Sequence, residues 1–141
     1  MRNAIKSFFA FIGLGSLLSF FFLYPSEVKK RELKFFHVLD EDEIPQRGVK
    51  RTDFSYEQGN RVINTKTFIV MTAKGLIAFS PVCTHLGCLV NWDRNKNEFL
   101  CPCHGGRYDK EGNVIAGPPL APLAKLPIQI KDGKVLVGIK V

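Results

Sequence analysis

Six side chains able to bind a metal fall in two short segments, Cys83-Thr84-His85-Leu86-Gly87-Cys88 and Cys101-Pro102-Cys103-His104-Gly105-Gly106. All four cysteines of the 141-residue chain lie between 83 and 103. Four unrelated buried thiols would not crowd in this way, so metal binding, disulfide bonding or both are indicated. Each segment offers one Cys and one His close together, plus one further Cys. Thiolates suit iron bridged by sulfide, and imidazoles suit an iron held at higher potential. A structural zinc site fits less well. Zinc pairs are usually spaced C-x₂₋₄-C and H-x₃₋₅-H, Cys83-x-His85 is tighter, and two cysteines would be left over. A domain held only by disulfides would leave both histidines unexplained.

Fifteen residues, 86–100, separate His85 from Cys101. That length suits two neighbouring loops joined by a hairpin, Leu89–Trp92 with Glu98–Leu100, turning at Arg94-Asn95-Lys96-Asn97. Two such loops can close on a metal centre from both sides. Further short β-rich runs are Leu33–Leu39, Thr67–Thr72, Leu76–Ser80, Ile128–Lys131 and Lys134–Val141. Ala73-Lys74-Gly75 and Asp132-Gly133 read as hairpin turns, the second strongly so. No long amphipathic helix and no internal repeat is apparent. The expected fold is all-β, an antiparallel sandwich or partly closed barrel. His37 reads as an ordinary strand residue, and Trp92 with the phenylalanines of this region reads as core.

The N-terminus differs in kind. From Ser7 to Tyr24 the chain carries no charge and is dominated by Phe, Leu and Ile. As a helix this run is about 27 Å long, close to the hydrocarbon thickness of a bilayer. Tyr24 suits an interfacial position and Pro25 ends the helix. The apolar run is longer than that of a usual signal peptide and continues past any small-x-small site. Residues 1–24 are therefore expected to be a membrane anchor, and polar residues 25–34 a flexible tether. Residues 35–141 form the head, large enough for one small core that would gain from a cofactor or crosslink. The net charge is +7, but the basic residues are scattered apart from Lys29-Lys30-Arg31, a patch suited to solvent or headgroups. With no basic helix and no aromatic-interleaved stripe, nucleic acid is not an expected partner.

C-T-H-x-G-C followed by C-P-C-H-G resembles the signature of Rieske iron–sulfur subunits of cytochrome bc-type quinol oxidases. Tyr108-Asp109 and Gly117-Pro118-Pro119 match further features of that family. The resemblance implies a [2Fe–2S] cluster bound by Cys83 and Cys101 on an inner iron and by His85 and His104 on an outer one. It implies a Cys88–Cys103 disulfide, and hence an oxidising compartment. Counting basic residues alone (Arg2 and Lys6 before the anchor, Lys29, Lys30, Arg31 and Lys34 after it) would place the head in the cytoplasm. The disulfide favours the opposite, so the expected location is the bacterial plasma membrane, single-pass, with the head on the extracytoplasmic side. The resemblance further implies a cluster-binding subdomain at about 81–120, with Gly117-Pro118-Pro119 as a stiff flap. Tyr108 would donate to a ligating sulfur. Many relatives carry serine where this chain has Gly106, and loss of that hydroxyl implies a lower potential, favouring menaquinol over ubiquinol as donor. The implied function is electron transfer from a quinol to a c-type cytochrome, with His104 as the catalytic residue that meets the quinol. The expected partners are cytochrome b, a c-type cytochrome, quinol and the membrane, and the chain is not catalytic alone. The alternative is a Rieske electron-transfer subunit of another oxidoreductase, such as arsenite oxidase. A soluble dioxygenase-type ferredoxin shares the ligand spacing but needs neither Cys88 and Cys103 nor an anchor.

Overall fold

The computed structural model describes residues 31–141. The expected anchor and residues 25–30 of the expected tether lie outside them. Among the described residues, no helix is long and apolar enough to cross a membrane. The described residues form eleven strands, in chain order β1 (Leu33–Asp40), β2 (Val49–Gln58), β3 (Arg61–Thr72), β4 (Gly75–Phe79), β5 (Asn91–Asp93), β6 (Glu98–Leu100), β7 (Arg107–Tyr108), β8 (Val114–Ala116), β9 (Lys125–Leu126), β10 (Ile128–Lys131) and β11 (Lys134–Lys140). Leu33 and Lys34, at the end of the expected tether, belong to β1.

The strands form three antiparallel sheets, ordered β1-β11-β10, β2-β3-β4-β9 and β5-β6-β7-β8. The second sheet is the middle layer, and the period-2 rule shows why. Phe68 and Val70 of β3, with Phe79 of β4, pack into one core with Val90, Phe99, Tyr108 and Leu123. Ile69 of β3 and Ala78 of β4 point the other way, into a second core with Val38, Leu39, Val135 and Val137. A strand covered on both faces reads as a continuous apolar run instead of an alternating one, and Phe68-Ile69-Val70 are all fully buried.

The turns follow their residues. Lys131 pairs with Lys134 around Asp132-Gly133, and both turn residues have positive φ, 52° and 71°. That is the twist that Asp-Gly favours in a two-residue hairpin. Thr72 pairs with Gly75, so the expected three-residue turn is the two residues Ala73-Lys74. Asp93 pairs with Glu98 across residues 94–97, as expected, and its carboxylate accepts from the backbone N–H of Asn95 and Lys96. The strand before this turn is β5, shifted from the expected Leu89–Trp92. Leu89 instead makes an isolated bridge to Val82, which closes the first cysteine loop. The sequence reading missed β2, although its Thr52, Phe54 and Tyr56 alternate with exposed Asp53, Ser55 and Glu57, and the short β7, β8 and β9.

Candidate metal centre

The two cysteine loops share one backbone plan. In the first, the Cys83 N–H donates to the Cys88 carbonyl at 2.7 Å and the Gly87 N–H to the Cys83 carbonyl at 3.0 Å. In the second, the Cys101 N–H donates to the Gly106 carbonyl at 2.8 Å and the Gly105 N–H to the Cys101 carbonyl at 3.1 Å. The glycine at the fifth place of each loop has positive φ, 78° and 68°, which a residue with a Cβ resists. The loops are thus two equivalent cups. The hairpin of β5 and β6 joins them, and β7 leaves the second.

This plan sorts the side chains by depth. Cys83 and Cys101 are buried and carry free thiols. His85 is half-buried and His104 exposed. Their rings meet edge to face with centroids 5.0 Å apart. Cys88 and Cys103 form a disulfide that ties one loop to the other. Both its sulfurs lie within 4.8 Å of the Cys101 sulfur, but a disulfide sulfur is not a thiolate ligand. The free donors at this end of the molecule are therefore two thiols and two imidazoles.

Burial pushes the Cys83 thiol up, and four donors outweigh it: the Tyr108 hydroxyl, the backbone N–H of His85, the Cys101 thiol and the backbone N–H of Leu86. The result is a thiol held below its ordinary range, which suits a thiolate that binds metal. Burial raises Tyr108, and its bond to Cys83 adds to the rise. The Tyr108 oxygen lies 3.2 Å from the Cys83 sulfur and accepts from the Thr84 N–H at 3.1 Å. The Thr84 hydroxyl donates to the Ala121 carbonyl at 2.6 Å, fastening the first loop to the chain after the prolines.

The Gly117-Pro118-Pro119 segment closes on the second loop. A Cβ at Gly117 would lie 2.8 Å from both the Gly105 oxygen and the Gly106 Cα. A Cβ at Gly106 would lie 2.7 Å from Cγ of Pro119. Beneath the loop, Arg107 makes a two-pronged pair with Glu98, both bonds at 2.8 Å, and this holds the Glu98 carboxyl below the usual range. The sequence reading missed Thr84, Pro119 as a neighbour of Gly106, and the Glu98–Arg107 pair. The last had a signal, since Glu98 and Arg107 flank the second loop at the ends of strands that must pair. His37 lies apart from the centre, bonded to Asp40 at 3.0 Å, and Trp92 packs on Phe99 with ring centroids 4.8 Å apart.

The donor set fits a mixed-ligand [2Fe–2S] cluster: free thiols inside, imidazoles outside, and N–H groups aimed at a sulfur. Comparison with known proteins agrees. The family model of the Rieske [2Fe-2S] domain matches residues 22–127. The chain is 38% identical over 111 residues to the menaquinol:cytochrome c reductase iron-sulfur subunit of Bacillus subtilis, covering 72% of this chain and 65% of that one. It is 45% identical over 74 residues to the cytochrome b6-f complex iron-sulfur subunit of Chlorobaculum tepidum, covering 52% and 41%. The chain thus spans about two-fifths to two-thirds of the length of these relatives. Among solved structures, a chain of a hyperthermophilic respiratory Complex III matches with TM-score 0.52 and 30% identity, covering 96% of this chain and 98% of that one. Two matched loops, a disulfide between them and a family match across both together establish that this chain belongs to the Rieske [2Fe–2S] family.

Proposed function

We propose that this chain is the membrane-anchored electron-transfer subunit of a bc-type complex, taking electrons from a quinol of the menaquinol class and delivering them to a c-type cytochrome. Its relatives are iron–sulfur subunits of such complexes. In this reading Cys83 and Cys101 hold the inner iron and His85 and His104 the outer one. When bound, the cluster supplies one-electron chemistry at about −150 to +300 mV.

The chain's own residues define the rest. His104 is the exposed imidazole, so its free ring nitrogen meets the quinol hydroxyl and takes its proton as the electron leaves. The buried cysteines keep water from the inner iron. Leu86 and Leu120, 71% and 99% exposed, put apolar surface on the same loops and flap. Such surface on a small head suits burial against a partner while the proton and electron move. The disulfide holds the loops together and suits an extracytoplasmic head. In this reading residues 1–24 are the membrane anchor, and the tether ends before β1, which begins at Leu33.

The observation that carries this reading is the pairing of two buried free thiols with two imidazoles, one half-buried and one exposed, whose rings meet edge to face. A redox titration of the full chain at several pH values, followed by electron paramagnetic resonance, tests it. The midpoint is expected to fall by up to about 59 mV per pH unit wherever reduction takes up one proton. A colourless protein after anaerobic reconstitution, or one holding zinc, overturns the ligand assignment. Co-purification with b-type haem supports the complex, and co-purification with a molybdenum subunit overturns it.

A further inference from the structure

We infer that Pro119 sets the redox level of this protein from outside the ligand set, by denying position 106 a side chain. The inference deepens the function proposed above and rests on its ligand assignment. Gly106 does not have positive φ, so its backbone alone would accept another residue. Its surroundings would not. A Cβ there would lie 2.7 Å from Cγ and 3.1 Å from Cδ of Pro119, and 3.4 Å from Cβ of Cys101. Pro119 is buried, and its ring can pucker but cannot rotate away. Nor can its segment lift easily. Two residues earlier, Gly117 lies against the backbone of Gly105 and Gly106, with φ of 92°. Two residues later, the Ala121 carbonyl is held by Thr84.

The consequence is an asymmetric pair of cysteines. Cys83 has a hydroxyl beside its sulfur, that of Tyr108. Among the described residues, no hydroxyl is bonded to the Cys101 sulfur, and the space that a side chain at position 106 would need, beside the Cys101 Cβ, is filled by the Pro119 ring. Hydrogen bonds to the sulfurs favour the more negative, reduced state and raise the potential. Pro119 therefore keeps the site at a single hydroxyl donor. It also makes positions 106 and 119 a coupled pair, in which a hydroxyl at 106 requires a smaller residue at 119.

Four variants of the full chain test this: Pro119→Ala, Gly106→Ser, Gly106→Ser with Pro119→Ala, and Gly106→Ala with Pro119→Ala. Iron content, electron paramagnetic resonance spectrum, thermal midpoint and redox midpoint are measured for each. Pro119→Ala is expected to keep full iron. Gly106→Ser alone is expected to lose iron or thermal stability. Adding Pro119→Ala to Gly106→Ser is expected to restore both and to raise the redox midpoint above that of Pro119→Ala. The Gly106→Ala double variant, which adds a methyl without a hydroxyl, is expected to show no such rise. The inference is overturned if Gly106→Ser alone keeps full iron and stability with the same rise. It is equally overturned if the serine double variant shows no rise, or holds less iron than Pro119→Ala. A wild-type chain without the mixed Cys and His spectrum would instead overturn the ligand assignment, so the two failures are distinct.

Discussion

The Tyr108 hydroxyl has more neighbours than protons. It accepts from the Thr84 N–H, and its own hydrogen can reach either the Cys83 sulfur at 3.2 Å or the Thr84 oxygen at 3.0 Å. Thr84 has already spent its hydroxyl hydrogen on Ala121 at 2.6 Å, so it can only accept from Tyr108. The more negative the sulfur, the more the Tyr108 hydrogen is drawn to it. Tyr108→Phe removes this donor. The expected result is a retained cluster with a lower redox midpoint, by about 59 mV if the bond is worth about 1.4 kcal/mol more in the reduced state. It also takes the acceptor from the Thr84 N–H, at about 0.5–1.5 kcal/mol of stability. Thermal unfolding and redox titration read the two effects separately. An unchanged midpoint would mean that the hydrogen stays on Thr84.

Among the elements, the proline flap is held by how closely two stretches of backbone approach. Gly117 combines positive φ with backbone neighbours at 2.8 Å, and backbone cannot step aside as a side chain can. Gly117→Ala is therefore expected to lift the flap from the second loop and lower iron occupancy, measured as iron per chain after purification. Full occupancy at unchanged stability would show that the flap is not needed to hold the loop. The disulfide acts at the same scale by a different route. It joins residues 15 apart in sequence, and closing a loop of that size is worth about 3 kcal/mol in the chain-entropy account. Replacing Cys88 and Cys103 together by alanine is expected to lower the thermal midpoint and speed cluster loss on warming. Equal rates of loss would show that the loops are held by their backbone bonds alone.

For the molecule as a whole, what matters is how the cluster-bearing sheet is fixed to the middle layer. Phe99 of β6 is the main joint, with ring centroids 5.0, 5.9 and 4.8 Å from those of Phe68, Phe79 and Trp92. Phe99→Ala is expected to cost about 3–5 kcal/mol of stability, read by denaturant unfolding; a cost under about 1 kcal/mol would mean that the sheets are held elsewhere. The Glu98–Arg107 pair makes the same sheet sensitive to acid. Arg107 holds the Glu98 carboxyl below its unfolded value of about 4.3. Its contribution is therefore complete above that value and is lost as pH falls through the lower folded one. Between about pH 5 and pH 3 the thermal midpoint of the wild type is expected to fall more steeply than that of Glu98→Gln. Parallel curves would show that the pair contributes nothing to stability.

Much of the site could be read before the fold was known, because metal ligands and tight turns need particular residue types at short spacing. The Cys and His pairs, the turn at 94–97 and the Asp132-Gly133 hairpin are local facts. Their geometry is set within a few residues, and the structure places each where its spacing implied. β2 carried a local signal that was passed over, Thr52, Phe54 and Tyr56 alternating with polar residues ahead of a two-residue turn to β3. The short strands β7 to β9 were not legible in this way, because strands of two or three residues have no periodicity to detect and β9 is chosen by β4, far away in the chain. The same holds for Thr84 on Ala121, and for Pro119 against Gly106. Sequence alone determined which atoms this protein can offer a metal and that its head is built of β-strands. The family resemblance implied the Cys88–Cys103 pair, and only the tertiary structure decided how deep each imidazole lies and which glycine has no room for a side chain, because these depend on packing between segments that the chain itself keeps apart.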